Sequence, residues 1–164
     1  MTGRALLAGV LLALVLPSSA RAEDACPASA IDVADWPVVR SPRLPGFTLR
    51  LPRAFTRDAA AAAAHWTAAS RARLTIAHRA PGAASPALPS ADGRTDYARC
   101  EARIGAATAT IVSFAQGPDT SGFLVDARLQ WPDGEELHLR ADAADREHLA
   151  QLLTAVRTIR RAGA

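Results

Sequence analysis

The sequence predicts an α+β fold, an antiparallel sheet of about six strands with a C-terminal amphipathic helix packed on one face. Two patterns carry this. Phe123, Val125, Ala127, Leu129 and Trp131 alternate with Leu124, Asp126, Arg128 and Gln130, the period of a half-buried strand. Leu149, Leu152, Leu153, Val156 and Ile159 instead follow helical spacing and make one apolar stripe. A third observation joins strand to strand. "PDG" at 132–134 suits a type I turn with Gly134 in the left-handed bulge position.

The chain of 164 residues begins with Arg4, an apolar run from Ala5 to Leu16, Pro17, and small residues leading to Ala20-Arg21-Ala22. This is the n-, h- and c-region order of a secretory signal peptide over residues 1–22. The run is shorter than the roughly 20 residues of a spanning helix. Glu23 and Asp24 before Cys26 argue against lipid attachment, and Arg21 lacks the partner of a twin-arginine signal. An exported protein, periplasmic or extracellular, with no membrane span in its mature form is expected. Loss of Arg4 and Arg21 with the signal lowers the net charge from +3 to about +1. Every basic residue is arginine, and none of the basic clusters has interleaved aromatics, so a nucleic-acid partner is not expected.

Residues 23–45 read as an extended segment in which the three prolines of "DWPVVRSPRLPG" deny regular structure, and 46–161 as a single domain. "FTLRL" from Phe47 is a short strand ended by Pro52. Six alanines, 59–64, predict a helix of one or two turns capped by Asp58. "RLTIAH" from Arg73 is the next strand. Residues 79–96, rich in proline, glycine and small residues, form a long loop, either a mobile connection or a functional segment.

Ala98 to Ile104 and Ala107 to Phe114 flank Gly105-Ala106 as a hairpin. For the following hairpin the PDG turn fixes the register. Leu129 faces Leu137, Ala127 faces Leu139 and Val125 faces Ala141; on the other face Gln130 meets Glu136, Arg128 meets His138 and Asp126 meets Arg140. Asp142 is the expected N-cap of the last helix, with Asp145 three residues on. "RTIRR" is its end, the arginines complementing the helix dipole.

Export places Cys26 and Cys100 in an oxidising compartment, where a lone pair becomes one disulfide. Cys100 belongs to the apolar set of an alternating strand and has no histidine or C-x-x-C partner nearby, so a nucleophile or metal ligand is the lesser reading.

"FTLRLPRAF", with Phe47, Pro52 and Phe55 at matching spacing and Ala54 where glycine is usual, resembles the opening strand of the PsbP-like fold. That fold is shared by photosystem II extrinsic proteins and a Ran-binding nuclear factor. The order of hairpins, the strand from Gly122 and the final helix ending "TIR" are also similar. The resemblance implies an antiparallel sheet flanked by helices and a non-catalytic assembly or binding role. Its motif is structural and assigns no functional residue.

His65, His78, His138 and His148 form no metal-spaced pair, and no nucleophile or nucleotide motif is present, so no cofactor or metal is expected. Two candidate sites remain. Asp119, Thr120 and Ser121 lie between glycines in a loop that either binds an ion through backbone amides or simply turns the chain. Asp126, Arg128, Glu136, His138 and Arg140, with Gln130, make a polar sheet face, either solvated or protein-binding. The expected role is a non-catalytic accessory or binding domain, its partner another secreted or periplasmic protein. The alternatives are an inhibitor or immunity-type protein, and a hydrolase whose site assembles from separated residues, with His65, His78 or His148 in a pocket beside a carboxylate and a hydroxyl.

Overall fold

The computed structural model describes Cys26, residues 30–117 and residues 122–162. Residues 1–22, the expected signal peptide, lie outside the described residues. Ten strands and one helix form among them: β1 (Val38–Val39), β2 (Phe47–Arg50), β3 (Phe55–Arg57), β4 (Ala64–Ala68), β5 (Arg73–Arg79), β6 (Ala98–Ile104), β7 (Ala107–Ala115), β8 (Phe123–Gln130), β9 (Glu136–Ala143), α1 (Arg146–Arg157) and β10 (Arg160–Arg161). The main sheet is antiparallel with order β3-β4-β5-β9-β8-β7-β6, and a small sheet has order β1-β2-β10. The α+β architecture is therefore observed with seven strands in the main sheet rather than six, and with a second sheet.

The β8–β9 hairpin has the register that the turn chemistry dictates. Leu129 pairs with Leu137, Ala127 with Leu139, Val125 with Ala141, Gln130 with Glu136, Arg128 with His138 and Asp126 with Arg140. Trp131 N–H donates to Glu135 O, Gly134 N–H to Trp131 O, and Gly134 has φ 86. The odd-numbered set of β8 and β9 turns to the core with Leu74 and Ile76 of β5 and Ile111 of β7. Helix α1 packs against β8, β9 and β2, and Leu152 and Val156 are buried. Phe47 of β2 stacks edge-on against Trp131 at 5.1 Å, so the small sheet closes the same side of the main sheet as the helix.

Four local expectations are corrected. The alanine run is not helical: residues 59–63 are bends, and the chain enters β4 at Ala64. Alanine's preference for helix is worth only tenths of a kcal/mol per residue, whereas burying a tryptophan is worth several times that. The strand puts Ala64 and Trp66 on the core face, each 1% exposed, opposite Ile76 and Leu74. Asp58 caps a turn instead, accepting from Ala60 N–H at 2.9 Å.

Asp142 is not the helix cap. The alternation of Leu139, Ala141 and Ala143 carries β9 on to Ala143, opposite Phe123, so the cap falls at Asp145. Its Oδ1 accepts from His148 N–H at 2.9 Å and lies 2.8 Å from the His148 ring. These two hydrogen bonds, the backbone one first, hold the Asp145 carboxyl below its ordinary value. A carboxyl lowered in the folded state stabilises fully above its ordinary value and loses that contribution as pH falls through the lowered one. Asp145→Asn, which does not titrate, is therefore expected to unfold more easily than wild type at neutral pH. In denaturant titrations the gap should close as pH falls through the carboxylate range.

The helix stops at Thr158, whose Oγ1 donates to Ala155 O at 2.7 Å and accepts from Arg50 N–H at 2.8 Å. Arg160 and Arg161 then leave as a strand opposite Thr48 and Phe47, not as the last helical turn. Finally, the segment 23–45 is not irregular throughout. Val38–Val39 pair with Arg50 and Leu49, and Leu44 is 2% exposed, because the prolines fall outside the two paired residues. Arg50 Nη1 ties the segment down by donating to Trp36 O at 2.8 Å.

Cys26 and Cys100 form the expected disulfide, with Cα atoms 4.8 Å apart. Cys100 lies on the core side of β6, an edge strand, and Cys26 N–H donates to Glu101 O. Among the described residues no helix is long and apolar enough to cross a membrane.

Candidate functional site

Because side chains alternate, the main sheet presents a second face made of the even-numbered residues of β7, β8 and β9 with the odd-numbered ones of β5 and β6. All five residues of the candidate face, Asp126, Arg128, Glu136, His138 and Arg140, lie on it. Their contacts run diagonally rather than straight across. Asp126 Oδ1 is 2.7 Å from His138 Nε2, although Arg140 stands opposite it, and Arg128 approaches Glu136 at 3.8 Å, although His138 stands opposite. Sheet twist brings one diagonal neighbour of each pair within reach of a long side chain.

This face is not simply solvated. Asp126 is 9% and Glu136 5% exposed, and Val112 and Phe114 on the same face are buried. The topology explains why. β5 and β6 follow each other in sequence and run parallel, yet β9, β8 and β7 lie between them. The connection must cover four strand spacings, about 19 Å, and also travel from one end of the sheet to the other. The helix and small sheet occupy one face, so residues 80–97 cross the other.

Successive contacts trace the crossing. Pro81 lies beside Gly134 at the β8–β9 turn. Ser85 Oγ is 2.6 Å from both carboxylate oxygens of Glu136, and Arg128 Nη2 donates to Pro86 O at 3.0 Å. Arg79 braces the start by donating to Ala84 O, and Tyr97 Oη donates to Pro89 O. The Arg94 guanidinium sits 4.6 Å over the Phe114 ring, and Ala115 N–H donates to Thr95 O. The long loop is thus a strap seated on the sheet. Ser85→Ala strips the buried Glu136 carboxylate of a hydrogen-bond donor. It is expected to cost about 1 kcal/mol and to raise amide exchange across residues 83–90 with little change in the sheet.

The strap divides the face into two open areas. One carries His65, Thr67, Arg73, Thr75 and Arg140; the other carries Glu101, Arg103, Thr108 and Gln130.

The four histidines are each placed by a different neighbour. His65 Nδ1 is 2.8 Å from Thr75 Oγ1, His78 Nε2 is 2.6 Å from Glu135 Oε1, and His138 and His148 face Asp126 and Asp145. A carboxylate can orient an imidazole for proton transfer, and the Asp126–His138 pair has that geometry. The nearby Ser85 hydroxyl is donated to Glu136 instead. Asp119, Thr120 and Ser121 lie outside the described residues. Among the described residues no three His, Cys, Asp or Glu side chains gather as metal ligands.

Two shallow clefts have volumes of about 340 and 390 Å³. Val33, Leu49 and Arg160 help line the first, and Arg94, Phe114 and Gln116 the second; neither includes a histidine.

One cluster at the sheet's end has no local signature in the sequence. Arg161 Nη1 meets Asp133 Oδ2 at 2.6 Å and Arg161 Nη2 meets Glu135 Oε2 at 2.9 Å, while Glu135 also holds His78. The Arg161 side-chain hydrogen bond, then the Glu135 backbone N–H, lower the Asp133 pKa, and Asp133 raises that of Arg161. The turn "PDGE" signals the two acids, but nothing local to Arg161 signals that β10 brings it back to them. The cluster clips the C-terminal strand to the β8–β9 turn.

No protein-family model matches the chain, and no curated protein matches it either.

Proposed function

We propose that this chain is an exported, non-catalytic binding domain that engages another exported protein through the strapped sheet face. The observation that carries the reading is the one-sided architecture. Helix α1 and the small sheet fill one face of a seven-stranded sheet, and the other displays ordered polar side chains in two open areas beside a strap fixed at Glu136 and Phe114. Polar, arginine-bearing surfaces of this kind suit non-obligate protein partners. The signal-peptide pattern supports export, as does the Cys26–Cys100 bond. The PsbP-like resemblance of Phe47 to Phe55 belongs to the same proposal and points to an assembly or binding role.

The test is site-specific photo-crosslinking in an exporting bacterium, with the photoreactive residue at Thr75 or Thr108 on the face, or at Gln151 on the helix. A discrete adduct from the face positions alone is expected. Equal adducts from Gln151, or none from the face, would remove the reading.

The Asp126–His138 pair beside Ser85 favours one second reading, a hydrolase in which Ser85 leaves Glu136 for His138. Ester hydrolysis lost in both His138→Ala and Ser85→Ala would establish it.

A further inference from the structure

The open area beyond β5 continues around the free edge of the main sheet. There the fold collects arginines that are scattered in sequence. Arg53 precedes β3 and Arg57 ends it opposite Trp66, Arg71 occupies the β4–β5 turn, and Arg73 and Arg140 stand two and three strands inward on the strapped face. All five are exposed, and none is in an ion pair among the described residues. The acids of this region are engaged elsewhere. Asp58 caps Ala60, Asp142 accepts from Gln116, and Asp126 faces His138. Arg71 also holds φ 68, a left-handed conformation that glycine or asparagine adopts with less strain.

β3 is the terminal strand of the sheet. Asp58 N–H donates to His65 O, so that pair is hydrogen-bonded and, by antiparallel alternation, the Arg57–Trp66 pair is not. Arg57 therefore turns its N–H and C=O outward from the sheet.

We infer that the β3 edge, with Arg57 and the flanking Arg53 and Arg71, is a docking site for an extended acidic segment of a partner protein, which adds as a further strand. The backbone of the segment pairs with Arg57, and its carboxylates meet guanidiniums suited to bidentate hydrogen bonding. A short, charged edge deters pairing between two copies of this chain, because arginine would face arginine. A strand of opposite charge meets no such barrier, so the same residues supply selectivity. This deepens the proposed function by naming the partner's chemistry, and it rests on that reading.

The test uses a short fluorescent peptide of alternating glutamate and valine with the oxidised protein. Anisotropy is expected to show salt-sensitive binding that weakens about tenfold or more in an Arg53→Glu/Arg57→Glu double variant and is unchanged in Arg43→Glu. The Arg57 amide should gain exchange protection in the complex. Absence of peptide binding would overturn the inference, as would binding without protection at Arg57. So would sulfated polysaccharide or anionic vesicles binding through these arginines while the peptide does not. A crosslinked adduct at Thr75 alongside any of these failures would leave the broader binding role standing; loss of both would end both.

Discussion

Replacing Cys26 and Cys100 together by serine is expected to lower the free energy of unfolding by about 4 kcal/mol. The bond closes a loop between residues 74 apart, and restricting the unfolded chain over that length accounts for most of the effect. The folded state loses something as well. Cys26 is held to the β6 edge by the bond and by a hydrogen bond to Glu101 O, so without the bond its anchor among the described residues is weakened to that hydrogen bond and its core packing. Urea unfolding of the oxidised wild type and the double variant under identical conditions measures the difference. A loss below about 1 kcal/mol would mean that the unfolded chain is compact without the bond, or that the N-terminal segment contributes nothing to the body.

Trp66→Ala is expected to cost about 4 kcal/mol, within the range for removing a large buried aromatic. Trp66 is 1% exposed and packs in the core beside Leu74, its cross-strand partner. The substitution also distinguishes the observed strand from the helix that the alanine run suggests. In a helix interior Ala61→Gly would cost about 1 kcal/mol; in the observed bend it should cost close to nothing. Finding Trp66→Ala mild and Ala61→Gly costly in the same denaturation series would overturn the assignment of β4.

What could be read from the sequence was local. The β8–β9 register followed from Pro132, Asp133 and Gly134 together with a two-residue period, because turn type and face pattern constrain each other within a few residues. The disulfide was legible from the expectation of an oxidising compartment and from the apolar phase of Cys100. The helical stripe from Leu149 was legible for the same reason as far as Val156, although Ile159 falls beyond the helix and the cap fell at Asp145 because β9 ran longer than the turn residues suggest. The misses depended on distant pairings. Trp66 overrode six alanines only because Leu74 lies across from it, and Arg160–Arg161 became a strand only because β2 presents an open edge.

The candidate face shows the same division. The alternation placed Asp126, Arg128, Glu136, His138 and Arg140 on one surface. It could not show that residues 80–97 cross that surface, since the crossing follows from β9, β8 and β7 lying between β5 and β6. The burial of Asp126 and Glu136, the two open areas and the position of β3 at the free edge all follow from strand order, which local patterning does not encode.

The strapped face is tested most directly by nuclear Overhauser contacts in the isotope-labelled protein. Contacts are expected from the Pro86 ring to the Arg128 side chain and from Ser85 to Glu136, with Phe114 ring protons reached from Arg94. Random-coil shifts over residues 83–95, with no contact to β7, β8 or β9, would contradict the account and leave the whole face open.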